Sequence, residues 1–135
     1  MEYWLQMLAN GLVIGMTYAL MAVGLTLIFG ILGTINFAHG EFYMLSAFLL
    51  YTFSVSLGLN YVVAGMLAVV SVSIIAFVVE RFTLRPLIGT DHLNTLLATF
   101  GVSIIIANLV SFIYGVSPMQ LPSPFQSVLN IGGAY

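Results

Sequence analysis

The chain has 135 residues, of which 61% are hydrophobic and only 4% charged, with two basic residues, four acidic ones, two histidines and no cysteine. A soluble domain carries roughly 25% charged residues, so this composition describes an integral membrane protein, and it excludes nucleic-acid binding, which needs many cations to neutralise phosphates. Without cysteine there are no disulfides, no thiolate chemistry and no Cys-based zinc or iron–sulfur sites.

The chain opens with Glu2 where a signal peptide has basic residues, and the apolar run behind it is far longer than a signal-peptide core, so the first segment is expected to stay in the mature protein. No formal charge occurs from Tyr3 to Gly40, a run of 38 residues. As one helix it would be roughly 57 Å long, nearly twice a hydrocarbon core of about 30 Å, so it must be interrupted. Gly30, Gly33 and Gly40 fall where the interruption is needed. This predicts a first span over residues 5–29, a Gly-rich break, and a second span over residues 41–57. Gly58-Leu59-Asn60 reads as a short turn before a third span over residues 61–80. That span is too long for a barrel strand of about 9–11 residues and lacks the alternating polarity of one.

Residues 80–92 hold Arg81, Arg85, two carboxylates and Pro86 and form the one conventional polar loop, which the positive-inside rule makes cytoplasmic. A fourth span over residues 93–115 returns outward, and Pro118, Pro122 and Pro124 forbid its continuation. The expected fold is an all-α polytopic transmembrane helix bundle of about four spans, with a Gly-rich break between the first two. Counting back from the arginines puts the amino terminus outside, the break toward the cytoplasm, and Trp4, Tyr61 and Tyr114 at the outer interface, where aromatic belts occur. A re-entrant break would remove the parity of that count. The apolar, Gly-containing ending Ile131-Gly132-Gly133-Ala134-Tyr135, with no charge or polar tail after the fourth span, leads us to expect a truncated chain.

Two rows of small residues recur at four-residue spacing. The last span carries Thr95, Thr99, Ser103, Ala107, Ser111 and Gly115, and the first carries Gly11, Gly15 and Ala19. Such rows let another backbone approach closely. They serve either a subunit or pore interface or ordinary packing within the chain. Their hydroxyls either face a polar path or bond the carbonyl four residues back on their own helix.

The cluster Asn36-Phe37-Ala38-His39-Gly40-Glu41 lies between two uncharged stretches. A charge at the bilayer centre costs about 2.5–3.5 kcal/mol on insertion scales, so the cluster sits at a membrane end, lines a wet cavity or is paired. In one reading Asn36 caps the second span, the helix start offers free N–H groups to a substrate carboxylate, and Glu41 pairs with an ammonium group. An amino acid carries both. In the other, Asn36 only caps, and His39 and Glu41 satisfy each other or the backbone. A metal site is not expected, because His39 and His92 lack the spacing of a helical zinc pair. The zinc-deaminase reading of His39-Gly40-Glu41 fails for want of cysteine. No G-x-S-x-G nucleophile elbow and no phosphate-binding loop occur. Neither an enzyme nor a cofactor is expected.

Asn10-Gly11, Gly15, Tyr18-Ala19-Leu20, the run from Gly24 to Gly30, and Gly33 form one set of marker residues. The block Ile35-Asn36-Phe37-Ala38-His39-Gly40-Glu41 follows, then Tyr43-Met44-Leu45, Glu80-Arg81, Leu84-Arg85-Pro86-Leu87, and Gly101-Val102-Ser103 with Asn108. In these the chain resembles the integral-membrane permeases of branched-chain amino-acid ABC transporters. The resemblance implies a multi-pass protein of the bacterial inner membrane, of which residues 1–135 are the amino-terminal part of the permease domain. It would form a translocation pathway with a partner permease, driven by cytoplasmic ATPase subunits and fed an amino-acid substrate by a periplasmic solute-binding protein. Asn36, His39 and Glu41 are the expected pathway residues, and Gly11, Gly15, Ala19, Ser103, Ala107, Ser111 and Gly115 the expected packing residues, with membrane lipid around them. Urea and short-chain amide permeases share the Asn-x-Ala-His-Gly-Glu frame and stay open as an alternative, as does a structural or assembly membrane protein that moves no solute.

Overall fold

A computed structural model of the chain describes residues 2–33 and 35–121. Four helices follow one another, α1 (Glu2–Leu32), α2 (His39–Tyr51), α3 (Tyr61–Val79) and α4 (His92–Tyr114), and no strand occurs among the described residues. The protein is thus all-α, as a lipid-embedded chain must be when each segment satisfies its own backbone N–H and C=O groups. The apolar carboxy-terminal stretch 131–135, with Pro122 and Pro124, lies outside the described residues.

Three helical runs are long and apolar enough to cross a membrane: Tyr3–Ile31, Tyr61–Leu87 and His92–Tyr114. The second expected span falls short of them. α2 has 13 residues, extended by a five-residue π turn, Thr52–Ser56, and it begins with His39 and Glu41 in its first turn. Helix and turn together rise about 27 Å, near the core thickness, but with polar groups at the start.

The break between α1 and α2 is tighter than expected. α1 runs through Gly30 to Leu32, and Gly33 ends it with φ 65°, its N–H bonded to the Phe29 carbonyl at 2.8 Å. This left-handed stop suits glycine, which has no Cβ to clash. Gly40 lies inside α2. The caps of the other helices are side chains: Asn60 Oδ1 accepts the Val62 N–H at 3.0 Å, and Asp91 Oδ1 accepts the Leu93 N–H at 3.4 Å.

Residues 80–92 form an open loop only over 88–91. Beyond α3 the backbone stays helical through a π turn, Glu80–Leu84, and a 3-10 turn, Arg85–Leu87, with Pro86 in its first turn, where its missing N–H does no harm. The rod Tyr61–Leu87 has 27 residues and is about 40 Å long. Twenty residues from its start already span about 30 Å, so Arg81 and Arg85 lie past one core thickness.

α2 sits between α3, its most extensive neighbour, and α4, while α1 touches α2 only lightly. The core forms around Leu45 of α2 and Ile106 and Val110 of α4, with Phe42, Phe48, Val72 and Tyr114 packed against them. On α3 the buried face is a pair of alanines one turn apart, Ala64 (0% exposed) and Ala68 (3%). Their small size lets helix backbones approach closely.

Adding bulk at that pair is expected to destabilise the bundle. Ala64→Leu should lose about 1–3 kcal/mol, the usual cost of overpacking, seen as a lower apparent melting temperature in detergent. Val70→Leu, on the exposed side of the same helix, should leave the melting temperature nearly unchanged; equal loss at both positions would refute the packing assignment.

Candidate functional site

The 36–41 cluster builds the turn that leads into α2. Asn36 Oδ1 accepts the Ala38 N–H at 3.0 Å and the Asn36 carbonyl accepts the His39 N–H at 3.2 Å. Asn36 therefore closes an Asx turn and does not cap the helix as expected; the residue at the cap is Ala38, which has no side-chain acceptor. The Phe37 N–H donates to Thr99 Oγ1 of α4 at 3.3 Å, while the Thr99 hydroxyl gives its own proton to the Leu96 carbonyl at 3.0 Å. Ala38 and Thr99 are each 1% exposed, so the turn is pressed against α4 and its polar groups are satisfied there.

His39 and Glu41 do not meet. Two residues apart on a helix, they point about 200° away from each other. The His39 ring lies against α1 at Gly24, where a Cβ would stand 3.1 Å from both Cε1 and Nε2. Glu41 faces α4 and accepts a hydrogen bond from Ser103 Oγ at 3.0 Å. Both side chains are half-buried. Beside His39 a groove of about 320 Å³ runs between α1, α2 and α3, with Leu20, Phe42, Val69 and Val72 on its walls. A cavity of about 480 Å³ opens where the end of α1, the α3 extension and the start of α4 converge, lined by Ile31, Glu80, Leu87, His92 and Thr95 among others.

The row on α4 does not stay on one face. Thr95 and Thr99 are buried, Ser103 and Ala107 half-buried, Ser111 and Gly115 exposed. A strict four-residue step advances about 40° beyond a full turn each time, so the contact face switches to Ile106, Val110 and Tyr114. Gly115 ends α4 with φ 77° and ψ −173°, its N–H bonded to the Ser111 carbonyl at 2.9 Å, a backbone region open essentially to glycine alone. On α1, Gly11, Gly15 and Ala19 are exposed, and a Cβ on either glycine would meet nothing within 4 Å.

Sequence reasoning missed Gly24 as the seat of His39, Ser103 as a donor, and the bond between Thr52 Oγ1 and Tyr114 Oη at 2.6 Å. Since Thr52 gives its proton to the Phe48 carbonyl at 2.9 Å, Tyr114 is the donor, and its side chain is half-buried at the end of α4. Its ring also packs on Phe48 with centroids 4.7 Å apart. The signal for the Ala64 and Ala68 pair was present as small-xxx-small spacing. Among the described residues, no group of three or more His, Cys, Asp or Glu could hold a metal ion, and every buried side-chain polar atom has a partner.

The family described as branched-chain amino acid transport system / permease component matches residues 7–129. The chain belongs to this permease family. It is 44% identical to the high-affinity branched-chain amino acid transport system permease protein BraD of Pseudomonas aeruginosa, over 80% of this chain and 38% of the relative. Against the permease protein LivH of Escherichia coli K12 the identity is 37%, over 96% of this chain and 45% of the relative. Against LivH of Salmonella typhimurium it is 36%, over 98% and 46%. The chain thus spans less than half the length of these relatives. No solved structure matches it.

In this permease-family chain the seat of His39 is testable without transport. Gly24→Ala replaces a helix-interior glycine, a change worth roughly 0.5–1 kcal/mol in stability when space allows. Here the new Cβ meets the His39 ring, so the gain should be absent in the wild-type background and appear once His39→Ala clears the space. A double-mutant cycle on thermal stability in detergent reads this out, and additivity of the two changes would rule the contact out.

Proposed function

We propose that the chain is a membrane permease subunit, or its amino-terminal portion (residues 1–135), of an ABC importer for branched-chain amino acids in the bacterial inner membrane. The observation that carries this reading is the family match over residues 7–129. The names of its relatives favour branched-chain amino acids over urea or short-chain amides. The proposed partners are a second permease that completes the pathway, cytoplasmic ATPases and a periplasmic solute-binding protein. The subunit itself moves solute and catalyses no reaction.

The residues proposed to border the pathway are Asn36, His39 and Glu41. The geometry supports separate tasks for them. Asn36 shapes the turn, His39 contacts α1, and Glu41 places a carboxylate near the positive end of the α2 dipole. A carboxylate there suits a passing ammonium group, and the apolar groove beside His39 suits an aliphatic side chain. Alternating access would shift helices about this point, with α1 as the element least held by the others.

In the assembled transporter, Glu41→Gln and His39→Ala should each lower ATP-dependent leucine uptake several-fold while membrane abundance stays near wild type. A parallel fall in abundance would assign both residues to folding alone. The orientation is tested separately. Arg81 and Arg85 make the end that holds residues 88–91 cytoplasmic, so a single cysteine placed by Thr90→Cys should resist a membrane-impermeant thiol reagent in intact cells and react after permeabilisation. Labelling without permeabilisation would invert the topology.

A further inference from the structure

We propose that Ser103 is a positioning residue that orients the Glu41 carboxylate. The inference rests on the reading above that Glu41 borders the pathway. A serine or threonine hydroxyl in a membrane helix ordinarily gives its proton to its own backbone, and this chain does so at Thr17 to Val13 (3.0 Å), Thr26 to Ala22 (2.8 Å) and Ser73 to Val69 (2.8 Å). Ser103 departs from that habit and donates to Glu41 Oε1 on another helix at 3.0 Å. A hydroxyl has one proton to give, so its own-helix bond is forgone for this contact.

The position of Ser103 makes the choice consequential. One turn further along the same interface the contacts are apolar, with Leu45 facing Ile106 and Val110. In the opposite direction, Thr99 is occupied by the Phe37 N–H and the Leu96 carbonyl. Ser103 is therefore the hydroxyl on that face of α4 that meets the carboxylate. A glutamate side chain has three rotatable bonds, and a donor on Oε1 fixes its head group while leaving lone pairs for a cation. The serine at this point of the row matters for its hydroxyl as well as its size.

Size and hydroxyl are separated by crossed substitutions in the assembled transporter, reading ATP-dependent leucine uptake at saturating binding protein together with membrane abundance. Ser103→Ala keeps the volume and removes the donor; uptake should fall several-fold at unchanged abundance. Ser103→Thr keeps the donor and adds a methyl group; it should retain most of the uptake. Ser111→Ala, an exposed hydroxyl in the same row, should be silent. Full uptake with Ser103→Ala overturns the proposal whatever threonine does. If alanine and threonine both impair uptake, the double variant with Glu41→Ala decides: no further loss from Ser103→Ala in that background supports positioning through Glu41, and a full additional loss overturns it. Glu41→Gln is scored on its own. Normal uptake there sinks the pathway reading, whereas impaired uptake with a silent Ser103→Ala sinks only the positioning role.

Discussion

The parallel pairing of α2 with α4 is the constraint on which the rest of the bundle depends. Three hydrogen bonds tie them, Phe37 to Thr99, Glu41 to Ser103 and Tyr114 to Thr52, and each joins residues 62 apart in sequence. A constant offset means the two helices run in the same direction and in register. Between the polar ties lies the apolar core of Leu45, Ile106 and Val110. Net of solvation, one such bond contributes only about 0.5–1.5 kcal/mol, but in lipid an unsatisfied polar group costs several kcal/mol. Sliding α4 by one residue would turn its side chains by about 100° and break all three ties together. Register is thus protected more by the penalty for losing the bonds than by the gain from making them.

This pairing fixes what α3 and α1 can do. For α2 and α4 to run parallel, the chain between them must travel back, and α3 with its π and 3-10 extension supplies the return. Ala64 and Ala68 let it lie close. The four-residue connection at 88–91 then needs no insertion depth, because the rod has already carried Arg85 beyond one core thickness. α1 stands apart: its tight approach to α2 is at Gly24, where the His39 ring occupies the space a side chain would take. The same turn that seats Phe37 and Glu41 against α4 therefore also sets where α1 crosses.

The helical class, the presence of three membrane-length runs and the break after α1 were legible because they follow from run length and charge spacing. The start of α3 was legible from the Gly58-Leu59-Asn60 turn, and α4 begins at His92, one residue before the expected 93. Other features were not. Asn36 is a good cap by type, but whether its side chain caps a helix or an Asx turn depends on where the helix begins, and Ala38 takes that position. The 80–92 segment reads as a loop by polarity, yet polar residues at a membrane boundary are equally at home on a helix that projects past the lipid. The small-residue row on α4 was read from spacing alone, and a four-residue spacing drifts around a helix that turns every 3.6 residues.

That drift also explains why identical residue types serve different ends along α4. Thr99 and Ser103 stand where the row still faces α2, so their hydroxyls find partners there. Ser111, two steps past Ser103, has rotated about 80° relative to it and is exposed. Whether a hydroxyl ties two helices or only bonds its own is thus decided by what the offset of 62 brings opposite. The offset is the sum of the rest of α2 with its π turn, α3 with its extensions, the two short connections at 57–60 and 88–91, and the first part of α4, and no local motif encodes it. A residue added to either connection would change that number without altering the row itself, while the polar ties and the Leu45, Ile106 and Val110 core would keep the same side chains opposite one another. The information that turns a spacer into an anchor therefore resides in the residues of α2 that stand opposite it, not in the row.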